Sequence, residues 1–140
     1  MLRNRIGIIL VTAPAPMVWG TTYLVTSEFR GAGSLTVPGN GGRTVIDDPG
    51  FPAARRGIAL ACNEQLDACR VTETGVDWAY PSPAALLEPG ERTGNYRVGT
   101  DELLVDAEGG SAISMEDLAV ALLDEAERPR HHRPRFTAAY

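Results

Sequence analysis

Lysine is absent from this sequence, and all 13 of its basic residues are arginines. They face 18 acidic residues, which gives a formal net charge of -5. Binding to nucleic acid requires a basic surface that neutralises phosphates, so this charge balance argues against a nucleic-acid-binding protein. The only basic cluster lies near the C-terminus, and its polar surroundings predict a solvated tail. The cluster comprises Arg128, Arg130, His131, His132, Arg133 and Arg135.

Cysteine is scarce: Cys62 and Cys69 are the only two. On one helix, residues seven apart lie about 10 Å apart along the axis, too far for a disulfide. We therefore expect two buried free thiols, which are typical of a reducing compartment and favour a cytoplasmic location. No further ligands share their spacing, so we expect no metal site.

Charge is also absent from Ile6 to Val25, a run of the length that spans a membrane. Three interpretations stay open. The run could be a secretory signal, a membrane helix preceded by Arg3 and Arg5, or a buried strand over residues 5–11 followed by a loop and a helix. The second interpretation would make this a membrane-anchored protein, held through residues 6–25.

A glycine-rich turn is missing where the strand interpretation would need one. A dinucleotide-binding chain follows its first strand with glycines, so that backbone N–H groups reach a pyrophosphate. Residues 11–16 contain no glycine, and Pro14 and Pro16 each remove an N–H donor. The strand could exist, but a phosphate-binding turn does not follow it.

The rest of the chain alternates helix and strand patterns, which predicts an α/β sheet. A helix is predicted from Pro52 to about Thr72, with an apolar stripe at Ile58, Cys62, Leu66 and Cys69. A second helix is predicted to begin at a Ser114 cap and to end at Pro129. The predicted strands are 76–80, ended by the prolines at 81 and 83, a hairpin of 95–98 with 103–105, and 136–140.

Several motifs occur in an order that resembles one family. They are Gly31-Ala32-Gly33-Ser34-Leu35, Val76-Asp77-Trp78-Ala79-Tyr80-Pro81-Ser82-Pro83, Glu88-Pro89-Gly90-Glu91-Arg92-Thr93-Gly94 and Ile113-Ser114-Met115-Glu116-Asp117-Leu118. Residues 31–140 resemble the C-terminal half of the atypical short-chain dehydrogenase/reductase group of NAD(P)H-binding, NADH-flavin-reductase-like proteins. The resemblance implies part of a Rossmann-like, doubly wound parallel sheet. It also implies NADPH or NADH as cofactor and hydride transfer to a flavin, a quinone or a small carbonyl compound.

The resemblance assigns two segments to the nicotinamide side of the cofactor site. Small residues in the first would let the ring approach closely, and the second would form the opposite wall. Ser82 could donate a hydrogen bond to a carboxamide or a substrate carbonyl, or could be an ordinary turn hydroxyl. Trp78 is expected to pack in the core. The assigned residues are Gly31, Ala32, Gly33, Ser34, Leu35, Pro81, Ser82 and Pro83.

The sequence departs from the family by lacking the opening strand and the G-x-x-G-x-x-G turn. We therefore expect residues 31–140 to be a truncated domain, and whether the chain is an active enzyme stays open. Arg55 and Arg56 stand where relatives often have tyrosine and lysine; we favour solvated arginines over a phosphate or carboxylate site. No catalytic constellation stands out. The alternative function is a non-catalytic fusion remnant, which could form a homodimer through an exposed sheet edge.

A second, shorter resemblance concerns the apolar segment, residues 1–30. Ala15-Pro16-Met17-Val18-Trp19-Gly20-Thr21-Thr22-Tyr23 is similar to the first membrane helix of drug/metabolite (EamA-like) transporters. No second apolar run follows, so transport itself is set aside. The segment is expected to be either a membrane helix or a remnant of a gene fusion.

Overall fold

A computed structural model describes residues 9–10, 32–71 and 77–140. Within these ranges the chain forms six strands, two α-helices and one short 3-10 helix, Val45–Asp47. The elements in chain order are β1 (Ile9–Leu10), α1 (Ala53–Val71), β2 (Trp78–Pro83), β3 (Leu86–Glu88), β4 (Arg97–Gly99), β5 (Ala112–Ser114), α2 (Met115–Glu127) and β6 (Arg135–Ala139).

The main sheet has the strand order β1-β2-β6-β4. The first three strands are parallel, and β4 runs antiparallel to β6 at the edge. A separate small sheet pairs β3 with β5 in parallel. The predicted α/β class is confirmed, and a parallel sheet with two helices is consistent with a Rossmann-like fold.

The two helices cover opposite faces of the main sheet. The Tyr80 hydroxyl donates to the Cys62 carbonyl of α1 over 3.1 Å, and Leu66 of α1 packs with Trp78 and Tyr80. On the other face, Ala121 of α2 belongs to the same apolar cluster as Ala138 of β6. Because side chains alternate along a strand, Trp78, Tyr80 and Ser82 share the α1 face. The predicted core role of Trp78 is confirmed.

Helix α1 occupies the range predicted from its apolar period, although its buried stripe is shifted. Ala59, Cys62 and Leu66 are buried, whereas Ile58 is 38% exposed. Both cysteines are free thiols: Cys62 is buried and Cys69 is partly buried. Burial raises the pKa of the Cys62 thiol, which keeps it protonated and unreactive near neutral pH.

Helix α2 begins at the predicted cap. The Ser114 hydroxyl accepts a hydrogen bond from the Asp117 backbone N–H over 3.0 Å. Asp117 does not return a bond to the cap residue. Its buried carboxylate accepts instead from the Thr93 hydroxyl, the Gly94 N–H and the Tyr140 hydroxyl. One carboxylate therefore joins the start of α2 to the loop before β4 and to the last residue of the chain.

Strand β2 does not end at its prolines, as the sequence suggested, but continues through Pro83. In a parallel strand, successive residues direct their N–H groups alternately to the two neighbouring strands. The Tyr80 N–H points toward β6, where it donates to the Pro134 carbonyl. The N atoms of Pro81 and Pro83, which carry no hydrogen, therefore face the opposite side, where the described part of β1 pairs with Trp78 and Ala79. The prolines thus remove no hydrogen bond between β2 and β6.

The predicted hairpin of 95–98 with 103–105 is wrong. Strand β4 pairs with β6, with Arg97 opposite Ala139 and Gly99 opposite Thr137. Residues 103–105 form no strand. Leu103 instead donates its backbone N–H to the Thr36 carbonyl over 2.8 Å and is buried against Ala32 and Leu35. The segment 103–105 therefore packs against the segment 32–36 and does not pair with residues 95–98.

The N-terminal segment is described only at Ile9 and Leu10, which form β1 beside Trp78 and Ala79. At these two residues the strand interpretation holds, and the helix interpretation does not. The remainder of residues 1–31, including Gly31 and the transporter-like motif, lies outside the described residues, as do residues 72–76. Within the described ranges, no helix combines the length and apolar character that crossing a bilayer requires.

Candidate functional site

The loop Ala32–Leu35 is the first of the two segments assigned to a cofactor. It forms a tight turn, closed by a 2.9 Å hydrogen bond from the Leu35 N–H to the Ala32 carbonyl. Ala32 and Leu35 are fully buried, and Ala85, two residues beyond β2, packs against the same cluster. The loop therefore lies close to the carboxyl end of β2, where the second assigned segment ends.

Gly33 allows this loop to approach α1. A Cβ atom at position 33 would lie 2.9 Å from the Ala59 Cβ, closer than side chains tolerate. The Gly33 carbonyl also accepts the Ile46 N–H over 3.0 Å. The structure thus gives a packing reason for glycine here, separate from the ring approach that the resemblance implies.

Ser82 is the polar residue of the second segment. It is 1% exposed, and its hydroxyl has no hydrogen-bond partner in the described part of the chain. Because Ser82 lies inside β2, the turn-hydroxyl interpretation is wrong. Its neighbour in the sheet is Thr137 of β6, which is equally buried and equally unpartnered. Sequence reasoning missed Thr137, because only strand register brings it beside Ser82.

We expect the Ser82→Ala substitution to leave the stability of the fold unchanged or slightly raised. Removing a buried hydroxyl that has no partner relieves a desolvation penalty of about 1–3 kcal/mol, against a small loss of packing. Thermal unfolding of the two proteins checks this. A clear fall in the unfolding temperature would mean that the hydroxyl already has a structural partner.

Arg135 binds the first segment at Ser34 and pairs in the sheet with Tyr80, which precedes the second segment, and its position corrects the prediction of a solvated C-terminal tail. It is 4% exposed on the α1 face, directly opposite Tyr80. Its Nη1 donates to the Ser34 hydroxyl over 2.6 Å, and its Nε and Nη2 donate to Asp101 Oδ1 over 3.0 and 2.6 Å. Burial lowers the pKa of the Arg135 guanidinium, and Asp101 opposes that shift. Ser34 and Ser82 are thereby brought to the same face of the sheet.

The two histidines do not act together. His131 is partly buried, bonds Glu125 through Nδ1 over 2.8 Å and stacks on Phe136. His132 is exposed and bonds Asp77 over 2.5 Å. Each ring thus has its own carboxylate partner. The described ranges contain no group of three or more His, Cys, Asp or Glu side chains arranged to hold a metal ion.

Two further features of the described chain are Arg56 and a cavity. Arg56 is exposed, and its guanidinium carbon lies 5.8 Å from the centre of the Phe51 ring. A cavity of about 210 Å³ lies at the α2 side, where the polar groups bond one another: Tyr96 donates to Asp124, and Glu125 holds the backbone N–H of Arg130 and His131. The cavity is lined by Tyr96, Val98, Ala121, Asp124, Glu125, Arg130, His131 and Phe136.

No protein-family model matches the chain. It is 42% identical over 108 residues to the uncharacterised protein YwnB of Bacillus subtilis. The matched region covers 76% of this chain and 50% of that protein. The chain thus spans about half the length of the curated relative it matches. Nothing in the comparisons supports the transporter resemblance.

Three solved structures share the fold of this chain over about half of their own length. A Burkholderia pseudomallei protein, provisionally described as exported, is 44% identical with a TM-score of 0.71, covering 78% of this chain and 52% of that one. A Bacteroides thetaiotaomicron protein provisionally described as an epimerase is 41% identical with a TM-score of 0.72, and the match covers 78% of this chain and 50% of that one. A Streptococcus pneumoniae protein provisionally described as an NADH-flavin reductase is 33% identical with a TM-score of 0.69, and the match covers 77% of this chain and 51% of that one.

Proposed function

We propose that residues 32–140 supply the nicotinamide side of an NAD(P)H-dependent reductase site, with a flavin, a quinone or a small carbonyl compound as hydride acceptor. One observation carries the proposal. The two segments that the resemblance assigns to the nicotinamide are 46 or more positions apart in sequence, yet Ser34 and Ser82 lie on one face of the sheet. The similarity to a protein described as an NADH-flavin reductase supports the same activity.

The residues at this face fit a nicotinamide ring and its carboxamide. Ala32 and Gly33 are small, and Ser82 offers a buried hydroxyl that has no partner in the described chain. A buried hydroxyl without a partner is unfavourable unless a ligand or water satisfies it. When bound, the reduced nicotinamide would supply the hydride, and the protein would supply position and hydrogen bonds. Ser82 would donate to the carboxamide or to the substrate carbonyl.

This chain is expected to bind the cofactor weakly. Its sequence contains no G-x-x-G-x-x-G turn to hold a diphosphate with backbone N–H groups. The described site therefore contributes hydrogen bonds and shape at the nicotinamide end only. A Kd near the millimolar range, about -4 kcal/mol of binding free energy, is the expected result for NADPH or NADH.

Titration of the full chain with NADPH and NADH tests the proposal. Binding is followed by the shift of the thermal unfolding temperature and by energy transfer from tryptophan to the reduced nicotinamide. Ser82→Ala should weaken binding about fivefold to tenfold, as expected for one hydrogen bond. Thr100→Ala removes an exposed hydroxyl and serves as the matched control. A wild-type protein that responds to neither cofactor at several times the expected Kd would refute the proposal.

A further inference from the structure

We propose that Arg135 is a positioning residue that presents the Ser34 hydroxyl as a hydrogen-bond donor to the carboxamide or carbonyl oxygen of the bound ligand. The inference rests on the proposed function, and it assigns that site a polar residue pair which the sequence did not indicate. Arg135 itself would not touch the ligand, because Nε, Nη1 and Nη2 already donate to Ser34 and Asp101.

Arg135 holds both the side chain and the backbone of Ser34. The guanidinium is a planar group with five N–H donors in a fixed arrangement. Arg135 uses it to bond the Ser34 hydroxyl over 2.6 Å, the Ser34 carbonyl over 3.3 Å and the Asp101 carboxylate over 2.6 Å. Side chain and backbone of Ser34 are thus fixed together, with Asp101 holding the guanidinium in place. A lysine ammonium has no such planar arrangement of donors.

The Ser34 hydroxyl keeps its own proton free while it accepts from Arg135. A hydroxyl carries one proton and two lone pairs, and here one lone pair accepts from Arg135. The two bonds to Arg135 are the only hydrogen bonds that Ser34 makes in the described part of the chain. Ser34 is only partly buried, so its proton is available to a ligand. Because the Arg135 bond is charge-assisted, it also makes the hydroxyl a stronger donor.

Charged side chains surround the Ser34–Arg135 pair. Arg70 Nη2 also bonds Asp101 Oδ1, over 3.2 Å, so two arginines share one carboxylate. Asp101 is 61% exposed and is partly solvated, which weakens its compensation of the buried Arg135 charge. Arg70 also pairs with Asp67 over 3.5 Å, so the two arginines and two aspartates are formally neutral, and the charged group in contact with the Ser34 hydroxyl is the Arg135 guanidinium. Such a charge favours a ligand oxygen on which negative charge develops, as occurs when a carbonyl accepts hydride.

The test is a double-mutant cycle on the full chain, with the Kd for NADPH as readout. Ser34→Ala and Arg135→Lys should each weaken NADPH binding, by about fivefold to tenfold for the first. The double variant should bind no more weakly than Ser34→Ala alone, because Arg135 acts only through Ser34. A purely structural role of Arg135 would instead lower binding further in the Ser34→Ala background. Asp101→Asn provides a milder variant with Arg135 kept, and it should weaken binding to an intermediate degree.

The outcomes separate this inference from the proposed function. Non-additive losses support the inference. If wild-type protein binds NADPH but Ser34→Ala binds equally well, or the two losses add, the inference is wrong and the proposed function stands. If wild-type protein binds neither NADPH nor NADH, both are wrong. Unfolding curves of each variant identify any that fails to fold. If Arg135→Lys fails to fold, NADPH binding by Asp101→Asn tests the inference in its place.

Discussion

Replacing Phe136 with alanine is expected to lower the free energy of unfolding by about 3–5 kcal/mol, the usual loss for a buried aromatic side chain. Phe136 is 2% exposed in the central strand β6, and its ring stacks on His131 at a centroid distance of 4.8 Å. Domains of this kind are stable by about 5–15 kcal/mol, so the variant should retain little stability. Urea unfolding followed by circular dichroism measures the change.

Leu123→Ala is the matched control, since Leu123 lies on α2 but is 61% exposed. Its removal should change stability by less than about 0.5 kcal/mol. Comparable losses in the two variants would contradict the burial of Phe136 between β6 and α2, since the exposed Leu123 side chain packs against little.

The second large effect is expected at Asp117. Asp117→Asn should lower the unfolding temperature by several degrees at pH 7, since the amide nitrogen places a donor where the carboxylate accepted one. If the amide nitrogen takes the place of Oδ1 it faces the Gly94 N–H, and if it takes the place of Oδ2 the Thr93 and Tyr140 hydroxyls lose their acceptor. The loop before β4 and the last residue of the chain should loosen together. Glu116→Gln is the control, because within the described ranges the Glu116 carboxylate accepts a single hydrogen bond, from the Gly90 N–H.

The Asp117 carboxylate also makes the free energy of unfolding depend on pH. Burial by itself would raise the pKa of Asp117, but the hydrogen bonds from Thr93, Gly94 and Tyr140 outweigh burial and hold it below its usual 3.8. The contribution is therefore complete above pH 3.8 and is lost as the pH falls through the lowered pKa. Asp117→Asn should accordingly differ most from wild type near neutrality, and the difference should shrink below about pH 4. A difference that is constant from pH 7 to pH 3 would contradict this assignment.

Features set by local sequence were predictable. Pro52 and the Ser114 cap mark helix starts, Pro129 marks a helix end, and the apolar period fills the helices between them. The final strand followed from its own apolar run. Each of these signals acts over a few residues and needs no knowledge of distant partners, so the helices and β6 lie within one or two residues of their predicted bounds.

Features set by distant partners were not predictable. The prolines of β2 suggested a strand end, and only the positions of β1 and β6 show why they are tolerated. Arg135 looked like one of a solvated group of arginines, because nothing local reveals that Ser34 and Asp101 meet it from 101 and 34 positions away. The loop Ala32–Leu35 and Ser82 were identified from family resemblance, and Thr137 required the register.

The most direct test of the nicotinamide-side assignment is an amide chemical-shift map of the full chain during titration with NADPH. We expect the largest changes at Ala32, Gly33, Ser34, Leu35, Ser82 and Thr137. Signals from the α2-side cavity, such as those of Tyr96 and Asp124, should stay in place. Changes confined to the cavity, or no changes at millimolar NADPH, would contradict the assignment.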